Sequence, residues 1–190
     1  RGSPAAIAPV IAPEREPIGD TEADTAVFYS ISNTQDGLRG VSFGNFLIKQ
    51  VVEELLRELP QLKCFVTLSP VPGFAGWLAK ERTSLSGKRL AAQLFDLLDD
   101  AVWPEDEAKR LAIRSALEQA AAIYLLEAKG GNGKPADPVA RFHLNNGARL
   151  ERIDFCGDTS PKGLRQSHGI MVNYLYDLDA IERNHEAYAN

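Results

Sequence analysis

Cysteine is scarce: Cys64 and Cys156 are the only two in 190 residues, and no CxxC or His/Cys spacing surrounds either. That count argues against both a disulfide framework and a zinc-type metal site. Each cysteine stands in a strand-like run, "LKCFVTLS" and "ERIDFCG", so the expectation is two buried free thiols in a reducing, cytoplasmic compartment. Long apolar runs are missing as well. Nothing nears the roughly 18 consecutive apolar residues of a membrane span. The opening "RGSPAAIAPVIAPEREPIG" is broken by four prolines, so no signal-peptide core is expected there. Basic charge is short too: 21 Lys and Arg stand against 26 Asp and Glu, a net charge of −5, with no dense basic run. Nucleic-acid binding by bulk electrostatics is therefore excluded, and an anionic ligand must be held by a few placed cations and backbone donors.

What is present suits one folded domain with a real core, 44% hydrophobic and 25% charged. Residues 1 to 25 are rich in Pro and Ala, then acidic, and promise little structure of their own. "TAVFYSIS" (Thr25 to Ser32) is β-branched and aromatic and predicts a strand. From Asn45 to about Leu59, residues Leu47, Ile48, Val51, Val52, Leu55, Leu56 and Leu59 recur at helical spacing, and Pro60 follows as a stop. "LKCFVTLS" (Leu62 to Ser69) predicts a second strand, ended by "SPVPGF". Strand, helix and strand in this order make a βαβ unit, with the two strands parallel in one sheet. Two further helical patterns lie in "KRLAAQLFDLLDD" and "EDEAKRLAIRSALEQAAAIYLLEAK", the second opened by acidic residues. "PVARFHLNNGA" predicts a short helix closed by Asn and Gly, and "RLERIDF" and "GIMVNYLYDL" two more strands. The class is α/β or α+β, helices packed on a mixed sheet.

Three glycines, Gly37, Gly40 and Gly44, precede the first helix beside Arg39. A helix N-terminus presents free N–H donors and partial positive charge, and glycine lets a bulky anion reach them. A tight turn with a glycine cap accounts for the same pattern, and neither GK[ST] nor GxGxxG is present. Ser69 closes a strand before Pro70 and Pro72, where serine ordinarily satisfies its own turn. His143 lies between Phe142 and Leu144, where a lone histidine is ordinarily structural. Spacing alone leaves the reaction open.

Three longer stretches carry a resemblance: "FYSISNTQDGLRGVSFGNFLIKQVVEELLRELPQLKCFVTLSPVPGF", "DPVARFHLNNGARLERIDF" and "GLRQSHGIMVNYLYDL". Together they resemble the core of malonyl-CoA decarboxylases over most of residues 1 to 190, more loosely between about 80 and 130. The resemblance implies an acetyltransferase-like (GNAT-type) acyl-CoA-binding domain that converts malonyl-CoA to acetyl-CoA and carbon dioxide. It implies neither metal nor organic cofactor, coenzyme A being part of the substrate. On this sequence the family's CoA-phosphate loop falls on Arg39, Gly40, Val41, Ser42, Phe43, Gly44 and Asn45, out of register with the usual acetyltransferase Gln/Arg-x-x-Gly-x-Gly/Ala. Its catalytic serine falls on Ser69 and its catalytic histidine on His143, with Asn146 and Tyr174 as polar support. A histidine with a near-neutral pKa would protonate the enolate left by decarboxylation. The resemblance further implies that residues 1–190 form the C-terminal part of the catalytic domain. An N-terminal helical domain, through which the family self-associates, and the first catalytic strands would precede it. A CoA-dependent acyltransferase and a non-catalytic CoA-binding fragment are the other two function classes. Release of carbon dioxide without an acyl acceptor separates them from the first.

Overall fold

A computed structural model describes residues 2–29, 31, 47–83, 92–131 and 133–189. The elements run α1 (Ala8–Ile11), β1 (Thr25–Tyr29), α2 (Leu47–Glu58), β2 (Cys64–Pro70), α3 (Phe74–Glu81), α4 (Ala92–Asp99) and α5 (Glu107–Glu127). They continue with α6 (Pro138–Asn145), β3 (Arg149–Asp154), α7 (Pro161–Ser167), β4 (Met171–Leu175) and α8 (Ile181–Ala189). Four strands form one sheet in the order β1-β2-β4-β3. β1 and β2 are parallel neighbours, Thr25 paired with Cys64 through Tyr29 with Leu68, as the βαβ pattern predicts. The α/β class is therefore as read.

The chain divides into two compact units. The first comprises residues 1–69, 142–152 and 172–190 and holds most of the sheet. Its core is built from Val52 of α2, Val66 and Leu68 of β2, Val172 and Tyr174 of β4, and Ile181 of α8. α2 is amphipathic as its spacing predicts, with Ile48 and Val52 buried, while Val51 is 39% exposed. The N-terminal segment is more ordered than its composition suggests, because Arg152 donates from its guanidinium to the Ser3 and Pro4 carbonyls at 3.1 and 2.9 Å.

The second unit comprises residues 70–141 and 153–171. α5 opens on Asp106, whose carboxylate accepts the Lys109 N–H at 3.1 Å, and buries Ile113, Leu117, Ala120, Ala121, Tyr124 and Leu125 along one stripe. α3, α4 and α7 pack in the same unit, α4 and α3 against α5 and α7 against α3. α3 and α7 carry no legible period: each is short and interrupted by a glycine, Gly76 and Gly163. The cap of α7 is nevertheless written locally, since the Ser160 hydroxyl accepts the Gly163 N–H and Pro161 takes the first helical position. The thiol expectation needs correcting. Both cysteines are free but only half-buried, and Cys156 sits in the turn after β3 with a left-handed φ of 53°, not in the strand.

Candidate active site

Ser69 lies near the end of β2, one residue beyond the last β1–β2 pair among the described residues, and is 4% exposed. His143 lies in the last turn of α6 and is 2% exposed. The structure brings them together, with Ser69 Oγ 3.1 Å from His143 Nε2. On the far side of the ring the Tyr176 hydroxyl is 2.8 Å from Nδ1. Tyr174 stacks on the imidazole with ring centroids 4.6 Å apart, and Phe142 meets it edge-on at 5.1 Å. The Ser69 hydroxyl is hydrogen-bonded to the Thr67 hydroxyl at 2.8 Å, and Thr67 Oγ1 also accepts the Tyr174 backbone N–H at 3.1 Å. β-strand alternation puts Thr67 and Ser69 on the same face of β2.

Burial governs the protonation of this group. Loss of water around His143 pushes its pKa down to about 3, so the imidazole is neutral at physiological pH. The near-neutral histidine expected above is corrected on that ground: no carboxylate is among the causes of its shift, and desolvation acts alone. Burial also pushes the Tyr176 phenol well above its usual range, so it keeps its proton. The result is a buried row of uncharged hydroxyl and imidazole groups.

The other sequence-chosen residues fall out differently. Asn146 is 5% exposed, donates from Nδ2 to the Phe142 carbonyl at 2.9 Å, and leaves its buried Oδ1 without a partner. Tyr174 touches His143 with its ring face. The loop of Arg39, Gly40, Val41, Ser42, Phe43, Gly44 and Asn45 lies outside the described residues. Thr67, Tyr176 and Asn173 were not singled out by sequence reasoning. Asn173 is fully buried and donates from Nδ2 to the Thr67 carbonyl at 2.8 Å and the Pro4 carbonyl at 3.2 Å. The one available signal was the period of two that links Thr67 to Ser69 and Tyr174 to Tyr176.

The helix that carries His143 is fixed at its start by Asp137, 1% exposed, whose Oδ1 accepts the Val139 and Ala140 N–H groups at 2.9 Å each. The Gly73 N–H also donates to this carboxylate, and the Tyr124 hydroxyl stands 3.4 Å from its Oδ2. Burial raises the Asp137 pKa despite these donors. Among the described residues no three His, Cys, Asp or Glu side chains form a metal-holding group, and no helix is long and apolar enough to cross a membrane.

Fold and site together define an α/β domain whose candidate chemistry is proton transfer by a buried neutral histidine beside a strand-end serine. Comparison with known proteins narrows the class. The family model described as malonyl-CoA decarboxylase C-terminal domain matches residues 1–190. Two curated relatives are the mitochondrial malonyl-CoA decarboxylases of Anser anser anser and Rattus norvegicus. The first is 41% identical over 185 residues, covering 86% of this chain and 36% of that relative. The second is 41% identical over 184 residues, covering 86% and 37%. Among solved structures, malonyl-CoA decarboxylase from Rhodopseudomonas palustris is 60% identical with a TM-score of 0.94, covering 98% of this chain and 44% of that one. The one from Agrobacterium vitis is 58% identical with a TM-score of 0.93, covering 100% and 47%. The chain belongs to the malonyl-CoA decarboxylase C-terminal domain family. It spans less than half the length of these four relatives.

Proposed function

We propose that the chain carries the proton-transfer site for decarboxylation of malonyl-CoA to acetyl-CoA and carbon dioxide, with Ser69 and His143 as the catalytic residues. The single observation that carries this reading is the buried contact of Ser69 Oγ with His143 Nε2 at 3.1 Å. Family membership agrees with it. Breaking the carbon–carbon bond of a malonyl thioester expels carbon dioxide and leaves its electron pair as an enolate, the negative charge on the thioester oxygen. One proton passed to that carbon from the His143 imidazole N–H, and restored to the ring from water, then completes acetyl-CoA. Two demands follow: the carboxylate must leave water, and the enolate oxygen must meet fixed donors. The buried row around His143 answers both with neutral groups. A neutral imidazole N–H stabilises a developing enolate as a hydrogen-bond donor without first becoming cationic. The remaining stack, Tyr174 against one ring face and Phe142 at its edge, holds the imidazole plane and keeps water from it.

The phosphate-binding role of the loop Arg39 to Asn45 belongs to this proposal, on its glycines, Arg39 and the helix start that follows. So does the GNAT-type label, supported by the parallel β1–β2 pair that flanks that loop and α2. Coenzyme A enters as part of the substrate, and no separate cofactor is invoked. Self-association through a helical region preceding the catalytic domain is inferred from the family likeness. The free thiols of Cys64 and Cys156 support a reducing compartment of the cytoplasmic kind, whereas the two curated relatives are mitochondrial by name.

The test is release of carbon dioxide from malonyl-CoA with no acyl acceptor present, measured on the full-length protein and on its His143→Asn variant. The wild type should turn over. The variant should lose roughly 10² to 10⁴-fold in kcat, the usual contribution of one acid–base group. A wild type that acts only when an amine acceptor is added would move the reading to an acyltransferase.

A further inference from the structure

Ser69 and His143 each lie a short stretch of chain from one buried carboxylate, that of Asp137. From Ser69 the chain runs through Pro70, Val71 and Pro72 to Gly73, whose N–H donates to the Asp137 side chain. From Asp137 it runs into Pro138 and along α6 to His143. Neither stretch has much play. Two prolines fix their own φ on the first, and Val71 is buried, its carbonyl accepting the Phe74 N–H at 3.1 Å. The second is continuous helix, entered on a proline, with the Arg141 N–H donating to the Asp137 carbonyl at 3.1 Å. A shift at the Asp137 side chain is therefore passed on to both Ser69 and His143.

Capping alone does not explain an aspartate here. Asp137 Oδ1 accepts the Val139 and Ala140 N–H groups, and a neutral Asn or Ser caps a helix as well. Burying a carboxylate among neutral N–H and O–H donors carries a desolvation cost that either neutral cap avoids. What the carboxylate adds is a second acceptor oxygen. Oδ1 uses both lone pairs on the cap, which leaves Oδ2 for the Gly73 N–H, and the Tyr124 hydroxyl stands 3.4 Å from that same atom.

We propose that Asp137 is a positioning residue for the Ser69–His143 pair: its second oxygen ties the loop after the serine to the helix that carries the histidine, and so sets the 3.1 Å contact between them. This holds whichever atom carries the hydrogen in that contact. The catalytic side of the inference rests on the decarboxylase reading; the tie itself does not.

Asparagine separates cap from tie. Asp137→Asn keeps Oδ1 for Val139 and Ala140 but turns an amide N–H toward Gly73, where donor meets donor. In the full-length protein it should lower kcat for carbon dioxide release by about tenfold or more while KM for malonyl-CoA stays within about twofold, the mark of an interaction used after binding. Added to Ser69→Ala it should lower kcat little further, because a residue that acts through the serine contact has nothing left to act on. Tyr124→Phe removes only the long 3.4 Å contact and should leave kcat within about twofold. A smaller loss in folded Asp137→Asn overturns the proposal. So do a loss carried by KM, simple multiplication of the losses with Ser69→Ala, and a loss in Tyr124→Phe equal to that in Asp137→Asn. Should Asp137→Asn not fold, Asp137→Ser, which caps with its hydroxyl and has no second oxygen, is read the same way.

The free protein supplies a second measurement. On ¹³C-histidine-labelled full-length protein, the His143 Cε1–H signal, assigned by its loss in His143→Asn, should shift in Asp137→Asn and stay in place in Tyr124→Phe. An unmoved signal in Asp137→Asn overturns the tie. No turnover is needed, so this measurement decides even where the wild type releases no carbon dioxide, the result that would overturn the decarboxylase reading instead.

Discussion

His143 is surrounded by two tyrosines, a phenylalanine and a serine, and burial acts on it with no opposing charge. A solvated histidine with a pKa near 6.5 would change charge within the working range and imprint that change on the rate. With the pKa lowered to about 3, the ring is already neutral well below pH 5. The Tyr176 phenol, raised by burial, stays protonated over the same range. At saturating malonyl-CoA, kcat should therefore show no inflection from His143 between about pH 5 and 8. The check is a kcat profile for the wild type and His143→Asn. An inflection near pH 6.5 in the wild type that vanishes in the variant would sink the neutral-donor description.

At the scale of elements, the short helix α6 is secured at each end by side chains from outside it. At the start, Asp137 accepts from Val139, Ala140 and Gly73. At the finish, the chain turns through Gly147 at φ +78°, His185 Nδ1–H donates to the Asn145 carbonyl at 2.7 Å, and Asn184 Nδ2 donates to the Gly147 carbonyl at 3.1 Å. Gly73, with an unstrained φ of −91°, is required by space and not by backbone: a Cβ there would collide with the Tyr124 hydroxyl. Tyr124 cannot swing aside freely, since its ring packs against Phe74 and Trp77 at 5.7 and 5.2 Å. Gly73→Ala should cost about 1–3 kcal/mol of stability, as overpacking does. Adding Tyr124→Phe, which deletes the colliding oxygen, should return most of that loss. Urea unfolding of the two single variants and the double variant measures the coupling. Simple addition of two losses would contradict the collision.

Stability of the whole molecule depends on pH through the same buried groups. His143 in the folded chain has a pKa of about 3, against 6.5 for a free histidine. The unfolded state thus binds a proton between those values and the folded state does not. Its contribution is fully present above about pH 6.5 and is lost as pH falls toward 3. His168, also lowered by burial, acts with the same sign, while Asp137, raised by burial, acts with the opposite one. Comparing wild type with His143→Asn cancels those two. Between pH 7 and pH 5 the wild type should lose about 2 kcal/mol more than the variant, at about 1.4 kcal/mol per pH unit over the part of the window crossed. Urea midpoints at the two pH values check this, and equal losses would mean that His143 is solvated.

Local sequence by itself determined the elements whose causes are local. The apolar spacing of α2 and α5, the strand composition around β1 and β2, and the order that makes those strands parallel are all legible because period and connection length act along the chain. The family likeness singled out Ser69 and His143 by motif. Their separation of 74 residues hid the contact itself. Only the tertiary structure decided that β2, α6 and β4 bring Thr67, Ser69, His143 and Tyr176 into one row. Only burial decided that the histidine is neutral, since desolvation is a property of what surrounds a side chain and not of its neighbours in sequence. The helices α3, α7 and α8 also belong to the fold and not to the pattern: they are short, and packing rather than intrinsic propensity holds helices of that length.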